Sequence, residues 1–349
     1  MSVYINGIGT VSSQTIDTRS LELNLSEKQS NRYLCIEPDY KDLIPPMQLR
    51  RMSKVIRIGI ASAKQALSDA GLETPDIITL GTAYGCLSDT ENFLGKILTQ
   101  NENMLTPTAF IQSTHNTVSG QIALLTQCFG HNFTYVHKGH SFETALQESM
   151  MWMKENESIE NFSALIGGID EMPNDTFDII SRFGTYKNED ENFESQSEGT
   201  IAGEGANLFV VSHQKNDNSY AKCLDVCLVN HSNIQESLHD FLAQNDLNEH
   251  DIDTCLVGIN GDTRYDELIL NNLSTLKSAE LLGFKKYCGE YPTSNAFAFC
   301  LGSLILKNQV IPDKLYLKQS SIHHQTPKNV LIYNHYKNRY HSFILLQRI

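Results

Sequence analysis

Short apolar runs that close on glycine alternate with stretches of helical periodicity along this chain, and that alternation limits its fold more than any other feature. Val3 to Ile8 (VYINGI) stops at Gly9, Ile77 to Thr82 (IITLGT) carries Gly81 near its end, and Ser163 to Gly168 (SALIGG) ends on two glycines. Runs of this length and composition predict buried strands. From Lys54 to Ala70 the period changes: Ile56, Ile60, Ala63 and Leu67 share one helical face, and Gly71 supplies the stop. Strands joined through helices that cover them give an α/β fold.

The pattern restarts at Ala221. A strand (CLDVCLV), a helix ending near Gln244, a strand (TCLVGIN), a helix from Asp266, a helix at about Ala296 to Leu306 and two terminal strands follow in order. The second half echoes the first, so the 349-residue chain is expected to be a duplicated α/β unit with halves at 1–213 and 214–349. Ser12 to Asp42 has weak periodicity and reads as irregular, and the polar run from Lys187 to Gly199 reads as a solvated loop.

The stretch with most chemical promise is Tyr135 to Met153. FTYVH predicts a strand that breaks at Lys138-Gly139 and turns into a helix near Ser141. The first amides of such a helix are unpaired and its dipole favours an anion, which is why strand-to-helix turns often hold nucleophiles. Here the turn offers only Gly139, His140 and Ser141, and no cysteine. Adjacent residues on a helix do not face each other, so His140 and Ser141 make a poor catalytic pair, and Ser141 reads as a helix cap. His137 and His140 lack a third ligand, so no metal is expected.

A formal charge of −14 repels phosphates and anionic membrane surfaces, so neither nucleic acid nor membrane is expected as a partner. No apolar run is long enough to span a bilayer. The opening MSVYINGIGTVSS lacks the basic, apolar and cleavage regions of a signal peptide, which points to the cytoplasm. Eight cysteines stand singly with no CxxC pair and read as buried, reduced thiols. No cofactor is implied.

Four segments, taken in order, carry a family resemblance. YINGIGTVSS, RRMSKVIRIGIASAKQALSDAGL, PTAFIQSTHNTVSGQIA and SEGTIAGEGANLFVVS resemble the opening strand, first long helix, interface segment and closing strand of the β-ketoacyl synthases of fatty acid and polyketide assembly. The resemblance implies a thiolase-like fold. It also implies a cysteine that accepts the acyl chain and two histidines that donate to the malonyl thioester oxygen. Laid on this sequence, the cysteine falls at Gly139, the first histidine at Asn260 and the second at Glu290, while the family's lysine is kept as Lys285. Gly139 cannot form an acyl-enzyme, and Asn260 cannot exchange a proton as imidazole does. An ionised Glu290 about 4 Å from a developing oxyanion would repel it by on the order of 4 kcal/mol at an effective dielectric near 20. Where the family has a mobile glycine-rich loop, this chain has NHYKNRYHSF from Asn334, whose Tyr336, Lys337, Arg339 and Tyr340 imply an occluded pocket.

The resemblance therefore implies a catalytically degenerate subunit of the chain-length-factor type, paired as a heterodimer with a catalytic β-ketoacyl synthase subunit whose acyl tunnel it shapes. The systems that make aryl polyene or flexirubin-type pigments are related cases. The usual chain length factor carries glutamine where this chain has Gly139. FTYVH, with Tyr135, would be the strand that pairs across the two-fold axis, and Phe110, Gln112, Ser113 and Thr114 would approach the partner's acyl chain. Phe110 is equally consistent with a length-setting plug and with an ordinary core aromatic. Acyl carrier protein, being acidic, would dock mainly on the partner. Two alternatives stay open: a thioester hydrolase or decarboxylase using His140, Asn260 and Glu290 in the old pocket, and a homodimeric acyl-binding protein.

Overall fold

The computed structural model describes residues 2–16, 21, 23, 28, 31–103, 105, 107–230, 233–318 and 326–349. The first half runs β1 (Val3–Val11), β2 (Arg32–Tyr33), α1 (Pro46–Leu49), α2 (Lys54–Ala70), β3 (Ile77–Gly81), α3 (Leu87–Thr99), α4 (Pro107–Gln112) and α5 (Thr117–Thr126). It continues with β4 (Asn132–Tyr135), α6 (Ser141–Glu155), β5 (Ser163–Asp170), α7 (Asn174–Ser181), β6 (Ala202–Gly203) and β7 (Gly205–Ser212). The second half runs β8 (Ala221–Asn230), α8 (Ile234–Gln244), β9 (Thr254–Val257), α9 (Asp266–Asn272) and β10 (Glu280–Gly283). It ends with α10 (Lys285–Cys288), α11 (Asn295–Asn308), β11 (Tyr316–Lys318), β12 (Asn329–Tyr336) and β13 (Tyr340–Gln347).

Eleven strands form one mixed sheet in the order β11-β10-β9-β12-β13-β8-β1-β7-β5-β3-β4. The connection between β7 and β8 contains residues 213 and 214, and the sheet continues across it because β1 pairs with both β7 and β8. On the β1–β7 side, α2 lies against the sheet through Val55, Ile58, Ala63 and Ala66. Gly9 makes this approach close: a Cβ there would overlap the Ser62 carbonyl, and the Ser62 hydroxyl donates to the Gly9 carbonyl at 2.7 Å while accepting from the Leu208 amide at 3.1 Å. On the other side α6 and α11 are sandwiched in the main core. α11 is buried on every face from Asn295 to Leu306, as its continuous apolar sequence requires.

The expected helix over Lys54–Ala70 and its left-handed stop at Gly71 (φ 70°) are both present. Other expectations need correction. FTYVH contributes a strand only from Asn132 to Tyr135, so Val136 and His137 lie beyond it. The 187–199 stretch holds no helix or strand, yet Lys187 is buried, because its ammonium donates to the Ser195 carbonyl (2.8 Å) and to the Ser197 carbonyl and hydroxyl (3.1 and 2.8 Å). The sequence reading also left out α7, β10 and β11, whose apolar runs are too short to stand out from their polar surroundings.

Candidate functional site

The chain leaves β4, makes one 3-10 turn over Lys138–His140 and enters α6 at Ser141. Lys138 takes a positive φ of 51°, an uncommon conformation for a residue with a side chain, which bends the strand sharply into the helix. Ser141 holds the turn by donating to the Lys138 carbonyl (2.8 Å) and accepting from the His137 amide (2.9 Å). Its hydroxyl thus serves the backbone and does not face His140.

Gly139 sits in this turn, buried under the β12–β13 hairpin. A Cβ at Gly139 would overlap the Cβ of Tyr336, and would lie 3.0 Å from its Cγ and 3.1 Å from the Cβ of Tyr340. The space a nucleophilic side chain would need is filled by two tyrosines. Tyr336 is fixed in turn by the Tyr84 hydroxyl, 3.2 Å from its own. Tyr84 follows Ala83 in a loop whose two amides donate to Asp170, each at 2.8 Å. Burial raises the hydroxyl pKa of both tyrosines, so both stay neutral.

His140 points away from this space. Its Nε2 lies 2.9 Å from the His341 carbonyl, and its ring stands edge-on to Tyr340 with centroids 5.3 Å apart. Burial lowers its pKa, with His137 adding to the shift and the His341 carbonyl opposing it.

Asn260 and Glu290, thirty residues apart in sequence, are joined: Asn260 Nδ2 donates to Glu290 Oε2 at 2.7 Å. Lys285 Nζ reaches both Glu290 oxygens, at 3.1 and 2.9 Å, and the His335 carbonyl at 2.8 Å. This arrangement corrects the sequence-based picture of Glu290 as an uncompensated charge, because the retained lysine neutralises it. Asn260 is held by further bonds: its side-chain oxygen accepts from the Asp262 amide at 3.2 Å and its carbonyl from the Thr200 hydroxyl at 2.6 Å. A cleft of about 170 Å³ is lined by Thr200, Asn260, Arg264, Glu290, Tyr336 and Lys337 among others, whereas Gly139 and His140 do not line it. Tyr336 therefore separates the Asn260–Glu290 pair from Gly139.

The interface candidates lie elsewhere. β4 is the last strand of the sheet and pairs with β3 on one side only among the described strands. Its Phe133 is exposed, as are Phe129 in the turn before it, Val136 just after it and Leu124 on α5. Tyr135 is half-buried, its hydroxyl pKa raised to about 12 by burial and by Glu148. On α4, Phe110 is 58% exposed and touches Phe93 with ring centroids 5.6 Å apart, so it is not a core aromatic. Gln112 donates to the Arg51 carbonyl (2.8 Å), Ser113 to the Phe110 carbonyl (2.7 Å) and Thr114 to the Ile111 carbonyl (3.2 Å), so all three brace the end of α4.

Sequence reasoning missed Tyr84, and it missed a buried trio beneath the turn made of Glu143, Asn295 and Ser342. Glu143 did carry a signal: it sits on the same helical stripe as Leu146, Met150 and Met153, where a carboxylate is out of place. Among the described residues no group of three or more His, Cys, Asp or Glu could hold a metal ion. No described helix is long and apolar enough to cross a membrane.

Residues 26–161 match the family described as "Beta-ketoacyl synthase, N-terminal domain". The fold is similar to that of the ishigamide ketosynthase/chain length factor, at 17% identity and a TM-score of 0.82, over 100% of this chain and 99% of that one. It is also similar to a β-ketoacyl synthase from Burkholderia phymatum, at 14% identity and a TM-score of 0.78, over 99% of both chains. A third similar structure is a type II PKS acyl-carrier protein in complex with its ketosynthase, at 12% identity and a TM-score of 0.79, over 99% of both chains. No curated protein matches the sequence.

Proposed function

From a chain that has the thiolase-like fold of the β-ketoacyl synthases and matches their N-terminal domain over residues 26–161, we propose the role of a non-catalytic, chain-length-factor-like subunit. It pairs with a catalytic β-ketoacyl synthase in fatty acid or polyketide assembly, with aryl polyene or flexirubin-type pathways as the narrower candidates, and shapes the partner's acyl tunnel. The observation that carries this reading is Tyr336 over Gly139: there is neither a nucleophile nor room for one. The Asn260–Glu290–Lys285 network supports it, because the Lys285 ammonium already directs its three donors to Glu290 and the His335 carbonyl, and the Asn260 amide is held by its bond to Glu290. A loss confined to one position would leave a damaged enzyme; here all three positions differ together, Gly139 covered by Tyr336 and Glu290 paired with Asn260 and Lys285.

The exposed apolar edge at β4 supports pairing with a second subunit, since an open strand edge flanked by Phe129, Phe133 and Val136 is a poor surface to leave in water. An acidic chain favours carrier-protein docking on the partner. The hydrolase or decarboxylase alternative draws no support, because His140 and Ser141 are tied to backbone groups and lie outside the Asn260–Glu290 cleft.

The test is co-expression with a ketosynthase that has intact cysteine and histidines, followed by condensation assays of each subunit and of the pair. The expected result is a one-to-one complex in which only the pair elongates malonyl units. A chain that remains a homodimer and turns over an acyl thioester alone overturns the proposal.

A further inference from the structure

Beneath the Gly139 turn, Glu143 in the first turn of α6 is completely buried, as are Asn295, which opens α11, and Ser342 on β13. Glu143 Oε1 accepts from Asn295 Nδ2 and from the Ser342 hydroxyl, both at 2.7 Å, and Asn295 Nδ2 also reaches the Ser342 hydroxyl at 3.2 Å. One oxygen on each side is left over. Glu143 Oε2 and Asn295 Oδ1 are both buried without a partner. Two acceptors cannot satisfy one another, and leaving both unpaired in the interior is costly. A proton on Oε2 resolves both at once, because a carboxylic acid and a primary amide close a ring of two hydrogen bonds, N–H to C=O and O–H to C=O.

We propose that Glu143 is held as the neutral acid, its Oε2 hydroxyl donating to Asn295 Oδ1, and that this acid–amide pair is a pH-sensitive latch fastening the Gly139 turn to α11 and the β12–β13 hairpin. The inference concerns this chain's own interior and stands whether or not the subunit role is right. Burial raises the Glu143 pKa to about 7 against the pull of Ser342, of its own backbone amide, of Asn295 and of Lys285 toward the anion. Lys285 is the cation whose field reaches Glu143, and it is already neutralised by both oxygens of Glu290. The other titratable groups on the elements packed against α6 have their own roles. Asp170 of β5 accepts from Thr82, Ala83, Tyr84 and Thr293, Asp225 of β8 from Val226 and Asn245, and His341 of β13 faces the Tyr333 hydroxyl. Burial raises the thiols of Cys223 and Cys227 on β8, leaving them neutral, and Tyr135 of β4 is neutral as well. The helix dipole favours an anion at this position, so burial has to outweigh it.

A folded-state pKa above the unfolded one means that the latch stabilises fully in acid and loses that contribution as pH rises from about 4.5 to about 7, after which the loss is complete. The experiment is infrared spectroscopy of the full chain across that range, reading the carbonyl stretch of a protonated carboxylic acid, in the native protein and in E143Q. Glutamine can donate to Asn295 Oδ1 as the acid does. The expected result is a band in the native-minus-E143Q difference spectrum, present in acid and titrating with a midpoint near 7, over the bands of Asp170 and Glu171, whose carboxyls burial also raises and which both chains share, while the thermal stability of E143Q gains on that of the native chain across the same range. A difference spectrum with no acid band, or with one whose midpoint lies in the ordinary carboxyl range, overturns the proposal. Should E143Q fail to accumulate, S342A decides: removing a donor to Oε1 moves the midpoint upward, and an unmoved midpoint refutes the assignment.

Discussion

The interior around Gly139, Asn260 and Glu290 and the surfaces of β4 and α4 have been treated in opposite ways. Inside, Asn260, Glu290 and Lys285 are paired to one another, and Tyr336 closes the space over Gly139. Outside, Phe129 is 93% exposed and Leu98 79%, with Phe110, Ile111, Phe133 and Val136 each at least half or nearly half exposed. The polar side chains of Asn260, Glu290 and Lys285 find partners inside, while large apolar side chains stand in solvent outside. Exposed apolar side chains of this size mark a surface that a partner can cover, whereas paired polar groups hold an interior in place. The difference sets mutually paired polar groups in the interior against unpartnered apolar side chains on the surface.

The largest expected effect tests the inside. Replacing Lys285 by methionine leaves Glu290 as a buried carboxylate with only the Asn260 amide to face it, and breaking a buried pair in this way costs about 3–5 kcal/mol. Denaturant unfolding of K285M should show that loss. A loss under about 1 kcal/mol would mean the pair is reachable by water, and the sealed-interior half of the comparison would fail.

How much of this was readable in the sequence depends on separation along the chain. The α2 helix could be placed to the residue because its period, its face and its glycine stop are all local. The Gly139 turn was legible for the same reason. The Asn260–Glu290 bond was not, since it depends on how β9 and α10 are brought together by the sheet, and neither residue looks unusual where it stands. Lys187 misled in another way. A lysine in a polar run reads as solvated, and only the folded loop shows three oxygens of Ser195 and Ser197 turned onto its ammonium. Glu143 was readable in principle as a carboxylate on an apolar stripe, but its meaning needed Asn295 and Ser342 from elements far away in the chain.

The next effect tests the outside. Phe133→Asp puts a charge on the open edge of β4, where a second subunit would cover it. Truncating a central interface aromatic costs about 2 kcal/mol or more, roughly a thirtyfold weaker association, and a buried charge should cost no less. Sedimentation of the co-expressed pair should show dissociation at concentrations where the native pair holds. Because Phe133 is exposed in the single chain, its folding stability should hardly change; a large stability loss with intact association would reverse the roles assigned to the two regions.

Acid separates the regions by a smaller amount. Burial and the neighbouring Lys285 hold the His335 pKa well below the ordinary imidazole range, and burial lowers that of His140 as well. Their folded-state values are depressed, so the stability they contribute is present above about pH 6.5 and is lost as pH falls below it, by about 1.4 kcal/mol per pH unit for each excluded proton. His335→Asn keeps an acceptor at the Nδ1 position for the Asn338 amide and should flatten the acid limb of a stability profile. An unchanged slope would show that protonation elsewhere governs acid unfolding.

Phe110→Ala should have the smallest effect on the chain itself and the most specific effect on the pair. With its ring 58% exposed and resting on Phe93, its removal creates no enclosed cavity, and stability should stay within about 0.5 kcal/mol. If α4 reaches the partner's tunnel, however, the deleted ring lengthens the space available to the growing chain, and the product distribution of the pair should shift toward longer acyl chains with the rate of condensation little changed. Ile111, its equally exposed neighbour, provides the control: Ile111→Ala should leave product length alone if Phe110 is the residue facing the tunnel. Equal products from native and F110A pairs would detach α4 from length control. The exposed apolar face would then serve only to hold the two subunits together, and the search for the length-setting residue would move to β4 and Tyr135.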